Sequence, residues 1–177
     1  MKRILLVALI SLAGMGSAQS QTDSIRTHTL HIWNNRTAPH SNGLDGNEQV
    51  IDDDRVGHTT EATLHIFFPT PATDRKIGIV ICPGGGYSYL SFKNEGTAMA
   101  RWLATQGITA AVLKYRLPNG HPEVPLEDAV QALRTMGGLE AGATGITIDR
   151  VGIMGFSAGG HLAAMASTLG TTRPASP

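Results

Sequence analysis

The residues best suited to covalent chemistry lie in Val151–Met165, VGIMGFSAGGHLAAM, where Ser157 stands two positions from Gly155 and two from Gly159. A serine placed this way, between an apolar run at 150–156 and a small-residue run at 158–169, fits a sharp strand-to-helix turn. Such a turn forces a strained backbone conformation on the serine, and side chains at the two glycines would collide with neighbouring backbone. It lifts the hydroxyl above a sheet edge and sets it at a helix N-terminus, where developing negative charge is favoured. The chemistry expected is nucleophilic attack on a carbonyl carbon.

Attack of that kind needs donors for the oxyanion. Cys82–Leu90, CPGGGYSYL, follows a second apolar run at 76–82, and Gly84, Gly85 and Gly86 let backbone N–H groups turn inward without steric cost. The N–H groups of Gly85 and Gly86, with that of Ala158 just after the serine, make the expected oxyanion hole. One such donor is typically worth about 2.7–4 kcal/mol in catalysis. Neither glycine cluster suits a nucleotide: no G-x-G-x-x-G follows a strand, and Gly84–Gly86 lead to no Lys-Ser/Thr pair.

A serine nucleophile also needs a base and an acid. Residues 158–177 contain no Asp or Glu, and their one histidine is His161, a single helical turn past Ser157. At that spacing it lies along the helix and is expected to pack or hydrogen-bond beside the turn, not to face the hydroxyl. Of the upstream histidines (His28, His31, His40, His58, His65 and His121), His121 alone sits in a loop opening on the same sheet edge. It too is a poor general base, and the expectation is that the acid and base belong to sequence beyond residue 177. Without them the serine retains only the acceleration of oxyanion hole and binding, roughly 10³–10⁴-fold over water in serine proteases.

Other chemistry finds little support. Asp52-Asp53-Asp54 with His58 matches no calcium-loop or zinc spacing and reads as a solvated loop. Cys82, unaccompanied by a neighbouring His or acid, reads as a small buried hydrophobe. No metal or cofactor is expected. Fourteen basic and fourteen acidic residues give a formal charge of zero, so neither nucleic acid nor an anionic surface is an expected partner.

The elements that must position these residues follow from apolar patterning. Strands are expected at 29–33, 62–68, 76–82, 108–115 and 150–156. Between them, a helix capped by Asn94, with Glu95 in its first turn, should run to Gly107 and bury Ala98, Trp102 and Leu103. A second helix should open at Pro125 and bury Ala129, Val130 and Leu133, and a third should occupy 158–169. Alternating buried strands and helices imply an α/β fold: a doubly wound, mostly parallel sheet with helices on both faces.

The first residues are of another kind. Lys2 and Arg3 precede the apolar run Ile4–Leu12, and Gly16 and Ala18 fit a small-residue cleavage site before Gln19. Residues 1–18 are read as a signal peptide, 19–60 as a polar N-terminal segment and 61–177 as an incomplete domain of this α/β fold, with the tail TTRPASP a loop. The mature protein is then expected to be secreted or periplasmic, with no membrane attachment after cleavage.

The stretches at 79–118, 125–134 and 149–164, with IWNNRTAPHSNG at 32–43, resemble the α/β-hydrolases, and within them the secreted branch of acetylxylan esterases and related carbohydrate esterases. The resemblance implies ester hydrolysis through an acyl-enzyme on Ser157, with the loop Gly84–Tyr87 as oxyanion hole and acetylated polysaccharide or oligosaccharide as substrate. Two alternatives remain at this point: a non-catalytic binding module that keeps the fold without the triad, and a fragment of a prolyl-oligopeptidase-type peptidase. The segment before residue 61 leaves no room for the large β-domain of the latter.

Overall fold

A computed structural model describes residues 25–139 and 145–169. The signal peptide and its cleavage site lie outside the described residues, as does the tail 171–177.

Five strands form the main sheet: β1 (Arg26–Asn34), β4 (Glu61–Phe68), β5 (Ile77–Cys82), β7 (Thr109–Lys114) and β8 (Arg150–Gly155). Their spatial order is β1-β4-β7-β5-β8. The last three run parallel, whereas β1–β4 and β4–β7 are antiparallel. The reason lies in the connections. Only a short turn at Pro71–Thr73 separates β4 from β5, so the chain returns at the same end of the sheet. The later crossovers carry α1 (Ala98–Thr105) and α2 (Glu123–Gly137), which allow parallel return, and α3 (Ala158–Leu169) follows β8. This is the mixed α/β sheet of the expected class.

Alternation along the strands divides the core between two faces. Leu64, Ile66, Val80, Cys82, Ala111 and Leu113 pack with Ala129, Ala132, Met136, Leu162 and Ala166 of α2 and α3. Phe67, Ile81, Ala110 and Val112 pack with Ala100, Leu103 and Ala104 of α1. Fully burying a Leu or Ile side chain is worth about 1.5–3 kcal/mol, so this two-sided packing is what holds the sheet. Cys82 is fully buried, and burial pushes its thiol up to about 12, which keeps it protonated and inert.

Several local expectations need correction. Asn94 does not cap a helix: Lys93–Thr97 forms a wide π-type turn ahead of α1, and the carboxylate of Asp54 accepts the N–H groups of Lys93 and Asn94 at 3.1 and 2.7 Å. The aspartate triplet is a loop, as expected, with the Asp53 side chain 82% exposed, but Asp54 is tied into the structure. Asp54 also accepts the Ser91 hydroxyl at 2.7 Å, and Asp52 binds Arg55, whose side-chain hydrogen bond holds the Asp52 carboxyl down at about 2. Trp102 is 57% exposed because α1 turns Ala100, Leu103 and Ala104 to the sheet instead. Helix α2 begins at Glu123, and Pro125 sits within its first turn, where the missing N–H would have no intrahelical partner anyway. Short strands at β2 (Gln49–Val50), β3 (Arg55–Gly57) and β6 (Leu90–Ser91), too brief to leave a periodic signal, form a separate small sheet.

Candidate active site

The serine turn has the geometry its glycines require. Ser157 is exposed and adopts φ +48°, in the left-handed region that a serine rarely enters. A methyl group at Gly155 would collide with the carbonyl of Gly159, and one at Gly159 with the carbonyl of Cys82. Helix α3 starts directly after the serine, and the N–H of His161 donates to the Ser157 carbonyl at 3.0 Å. The hydroxyl thus stands at the positive end of a helix and at the carboxyl end of β8.

Beside it lies the loop after β5. A Cβ at Gly84 would approach the Phe156 carbonyl to 2.6 Å and the Ser157 Cβ to 3.1 Å, so only glycine lets this loop close against the serine. Gly85 has φ +133° and Gly86 φ +61°, and among the described residues their N–H groups and that of Ala158 find no acceptor. The three expected oxyanion donors are therefore unpaired and in adjacent segments, the loop and the start of α3.

Two residues to which the sequence assigned no such role hold this loop. Glu95 accepts the Gly84 N–H at 2.8 Å through its carboxylate, so its place in the chain before α1 serves the loop more than a helix end. Tyr87, itself at φ +58°, places its hydroxyl 2.9 Å from His161 Nδ1, with the two rings edge to face. Burial raises the Tyr87 phenol above its ordinary range, so it remains protonated. The only advance signal for either residue was position, next to a glycine run or one turn into a helix.

His161 accordingly packs beside the turn and spends Nδ1 on Tyr87. His121 lies in the turn after β7, its Nδ1 3.5 Å from Glu123 Oε1. Among the described residues the Ser157 hydroxyl has no hydrogen-bond partner, and no group of three or more His, Cys, Asp or Glu is gathered as for a metal ion.

On the far side of the same sheet edge is a buried charge cluster. Arg116 is fully buried. Its guanidinium donates to Asp128 Oδ1 at 2.7 Å, Glu127 Oε1 at 2.8 Å, Asn35 Oδ1 at 3.1 Å and the His40 carbonyl at 2.6 Å. Trp33 Nε1 donates to Asp128 Oδ1 as well. The cluster fastens the N-terminal segment to α2 and to the loop after β7.

A mixed sheet with helices on both faces, a glycine-flanked serine on a strand-to-helix turn and a glycine loop beside it define an α/β-hydrolase. Residues 64–174 match the family model described as BD-FAE, and the chain belongs to that family. An acetylxylan esterase from Xylanibacter ruminicola is 43% identical over 109 residues, which cover 62% of this chain and 22% of that protein. Among solved structures, an acetyl ester-xyloside bifunctional hydrolase from Caldicellulosiruptor lactoaceticus superposes with a TM-score of 0.53 at 29% identity, covering 80% of this chain and 47% of that one. An alpha/beta hydrolase enzyme from a Medee basin deep-sea metagenome library gives 0.55 at 29% identity, covering 75% and 55%. The matched stretch thus spans about a fifth of that acetylxylan esterase, and about half of each of these two structures.

Proposed function

We propose that this chain carries the nucleophile and oxyanion hole of a carboxylic-ester hydrolase, with Ser157 forming the acyl-enzyme. The carbonyl oxygen of the ester, and the oxyanion it becomes on attack by Ser157, would be held by the N–H groups of Gly85, Gly86 and Ala158. The observation that carries the reading is Ser157 at φ +48°, between two glycines whose Cβ atoms would strike backbone, and against a glycine loop with unpaired donors. Strain of about 1–3 kcal/mol at one residue persists where the surrounding structure over-determines it, and it clusters at active sites. Acetylated polysaccharide is the proposed substrate, supported by the names of the acetylxylan esterase and the acetyl ester-xyloside hydrolase. Export by residues 1–18 accords with a polymeric substrate outside the cell, and a mature N-terminus at Gln19 would support it.

His161 is committed to Tyr87, so none of the described residues activates Ser157, and turnover by this chain should be weak. The test is chemical rescue. Added imidazole, acting as external base, should raise p-nitrophenyl acetate turnover by the chain above that of the Ser157→Ala variant, and fluorophosphonate labelling under the same conditions should map to Ser157. Equal acceleration of both proteins would overturn the role of Ser157. Efficient Ser157-dependent turnover without imidazole would overturn the absence of a base.

A further inference from the structure

Asp54 receives a hydrogen bond from each of four successive residues. Its Oδ2 accepts the Ser91 hydroxyl at 2.7 Å, its backbone carbonyl the Phe92 N–H at 2.8 Å, and its Oδ1 the N–H groups of Lys93 and Asn94 at 3.1 and 2.7 Å. The neighbouring cations are engaged elsewhere, Arg55 with Asp52 and Lys93 Nζ with Asp53, so the Asp54 carboxylate serves the segment 91–94 and not a charge pair. Asp54 precedes residues 64–174, the part that matches the family, and stands just before β3, which pairs with β6 through Arg55 and Ser91.

The segment that Asp54 holds grips the glycine loop from behind. The Ser91 N–H donates to the Gly84 carbonyl at 2.9 Å, and Glu95, one residue past the segment, accepts the Gly84 N–H at 2.8 Å. Among the described residues no peptide bond is cis, and a planar trans peptide points its N–H opposite to its carbonyl. Fixing the Gly84 carbonyl on Ser91 therefore fixes the direction of the Gly85 N–H, which points away from β6. The next peptide is held by other residues: the N–H groups of Ser88 and Tyr89 donate to the Gly85 carbonyl at 3.0 and 3.2 Å, which sets the Gly86 N–H. Glycine gains most from such restraint, because no Cβ limits its backbone angles.

We infer that Asp54 is a positioning residue for the oxyanion hole: by holding Ser91–Asn94 it orients the Gly84–Gly85 peptide and so aims the Gly85 N–H at the oxyanion. This rests on the reading of the Gly85 N–H as an oxyanion donor. Asp54 touches no reacting atom. Its influence falls on a donor that binds the oxyanion more strongly than the ground-state ester, so its loss lowers kcat and leaves KM unchanged.

The test uses the isotope-labelled full chain, with p-nitrophenyl acetate as substrate and imidazole as external base. Asp54→Ala should shift the Gly84 and Gly85 amide resonances more than that of Gly86. It should also lower the rescued kcat about tenfold, less than the roughly 10²–10³-fold that follows complete loss of one donor. Asp54→Asn keeps an acceptor for Lys93 and Asn94 and should restore kcat to within about twofold. Asp53→Ala, at the exposed neighbour, should change neither readout. Should Asp54→Ala lose the amide dispersion of a folded chain, Ser91→Ala carries the test: it removes only the hydroxyl bond to Asp54 and should lower kcat about threefold. A Gly85 amide moved no more than that of Gly86, a rise in KM in place of a fall in kcat, an equal loss in Asp53→Ala, or an Asp54→Asn as impaired as Asp54→Ala would each overturn the assignment. If the unaltered chain shows no imidazole rescue, the nucleophile reading falls, and the Gly85 amide by itself decides whether Asp54 orients the loop.

Discussion

The serine turn and the Arg116 cluster lie along the same sheet edge and are built by opposite means. In the turn, space is the determinant: glycines at 84, 155 and 159 let three backbone segments approach so closely that a methyl group has nowhere to go. In the cluster, charge is the determinant: a fully buried guanidinium is tolerated because two carboxylates, one amide and one carbonyl surround it. The first arrangement holds strain where chemistry is proposed. The second is fully satisfied and joins distant parts of the chain. Strain and satisfaction are thus separated in space, and stability measurements can tell them apart.

The largest expected effect is at the cluster. Asp128→Ala would leave Arg116 buried without its main partner, and removing one member of a buried pair typically costs about 3–5 kcal/mol. Urea unfolding of the full chain measures it. A loss below about 1 kcal/mol would mean that water reaches the guanidinium and that the two regions are less different than their burial indicates.

Next comes the turn. Gly159→Ala sets a methyl against the Cys82 carbonyl, and overpacking of this kind costs about 1–3 kcal/mol with backbone movement. Because the collision is with strand backbone, we expect the upper end of that range, about 3 kcal/mol. Gly86→Ala is the internal control. Nothing lies within 4 Å of a Cβ there, so only the strain of φ +61° is added. Equal losses in the two variants would show that the crowding at Gly159 costs no more than the left-handed backbone at Gly86.

These regions also differ in how far the sequence announced them. The turn was legible because its determinants are local: Gly155, Ser157 and Gly159 sit within five residues, between an apolar strand and a small-residue helix. The same locality made β5, β7, β8 and the three helices readable from periodicity. The cluster was not legible. Arg116 meets Asn35 across 81 positions of chain and His40 across 76, and nothing in the local pattern of either partner marks it as a ligand for a buried charge. Asp54 and Trp102 went astray for the same reason. Residue type alone makes one polar and hence solvated, the other apolar and hence buried, while tertiary contacts decide both.

A smaller effect tests β4, in the sheet that both regions border. His65 on β4 packs edge to face on Phe92, and burial, aided by Lys114 and His31, lowers its pKa from 6.5 to about 4. The folded chain therefore refuses a proton that the unfolded chain accepts, so stability should be full above pH 6.5 and fall as pH drops toward 4. Between pH 7 and 5 the loss should be about 1 kcal/mol once screening at its partly exposed ring is allowed for. His65→Gln should remove that slope. A slope that survives the substitution would assign it to other groups.

The smallest effect is the most discriminating. If strain is stored at the serine for the sake of its chemistry, then Ser157→Gly should stabilise the protein, because glycine enters φ +48° without penalty. Relief of about 1–3 kcal/mol, less about 0.5–1 kcal/mol for the greater freedom of glycine in the unfolded chain, leaves a net gain of about 1 kcal/mol. Ser157→Ala, which keeps the Cβ and the strain, should gain nothing. Urea midpoints of the two variants measured side by side would decide the matter. Destabilisation by Ser157→Gly would mean that the turn is not strained, and that the serine is held there by contacts of its own, as Arg116 is.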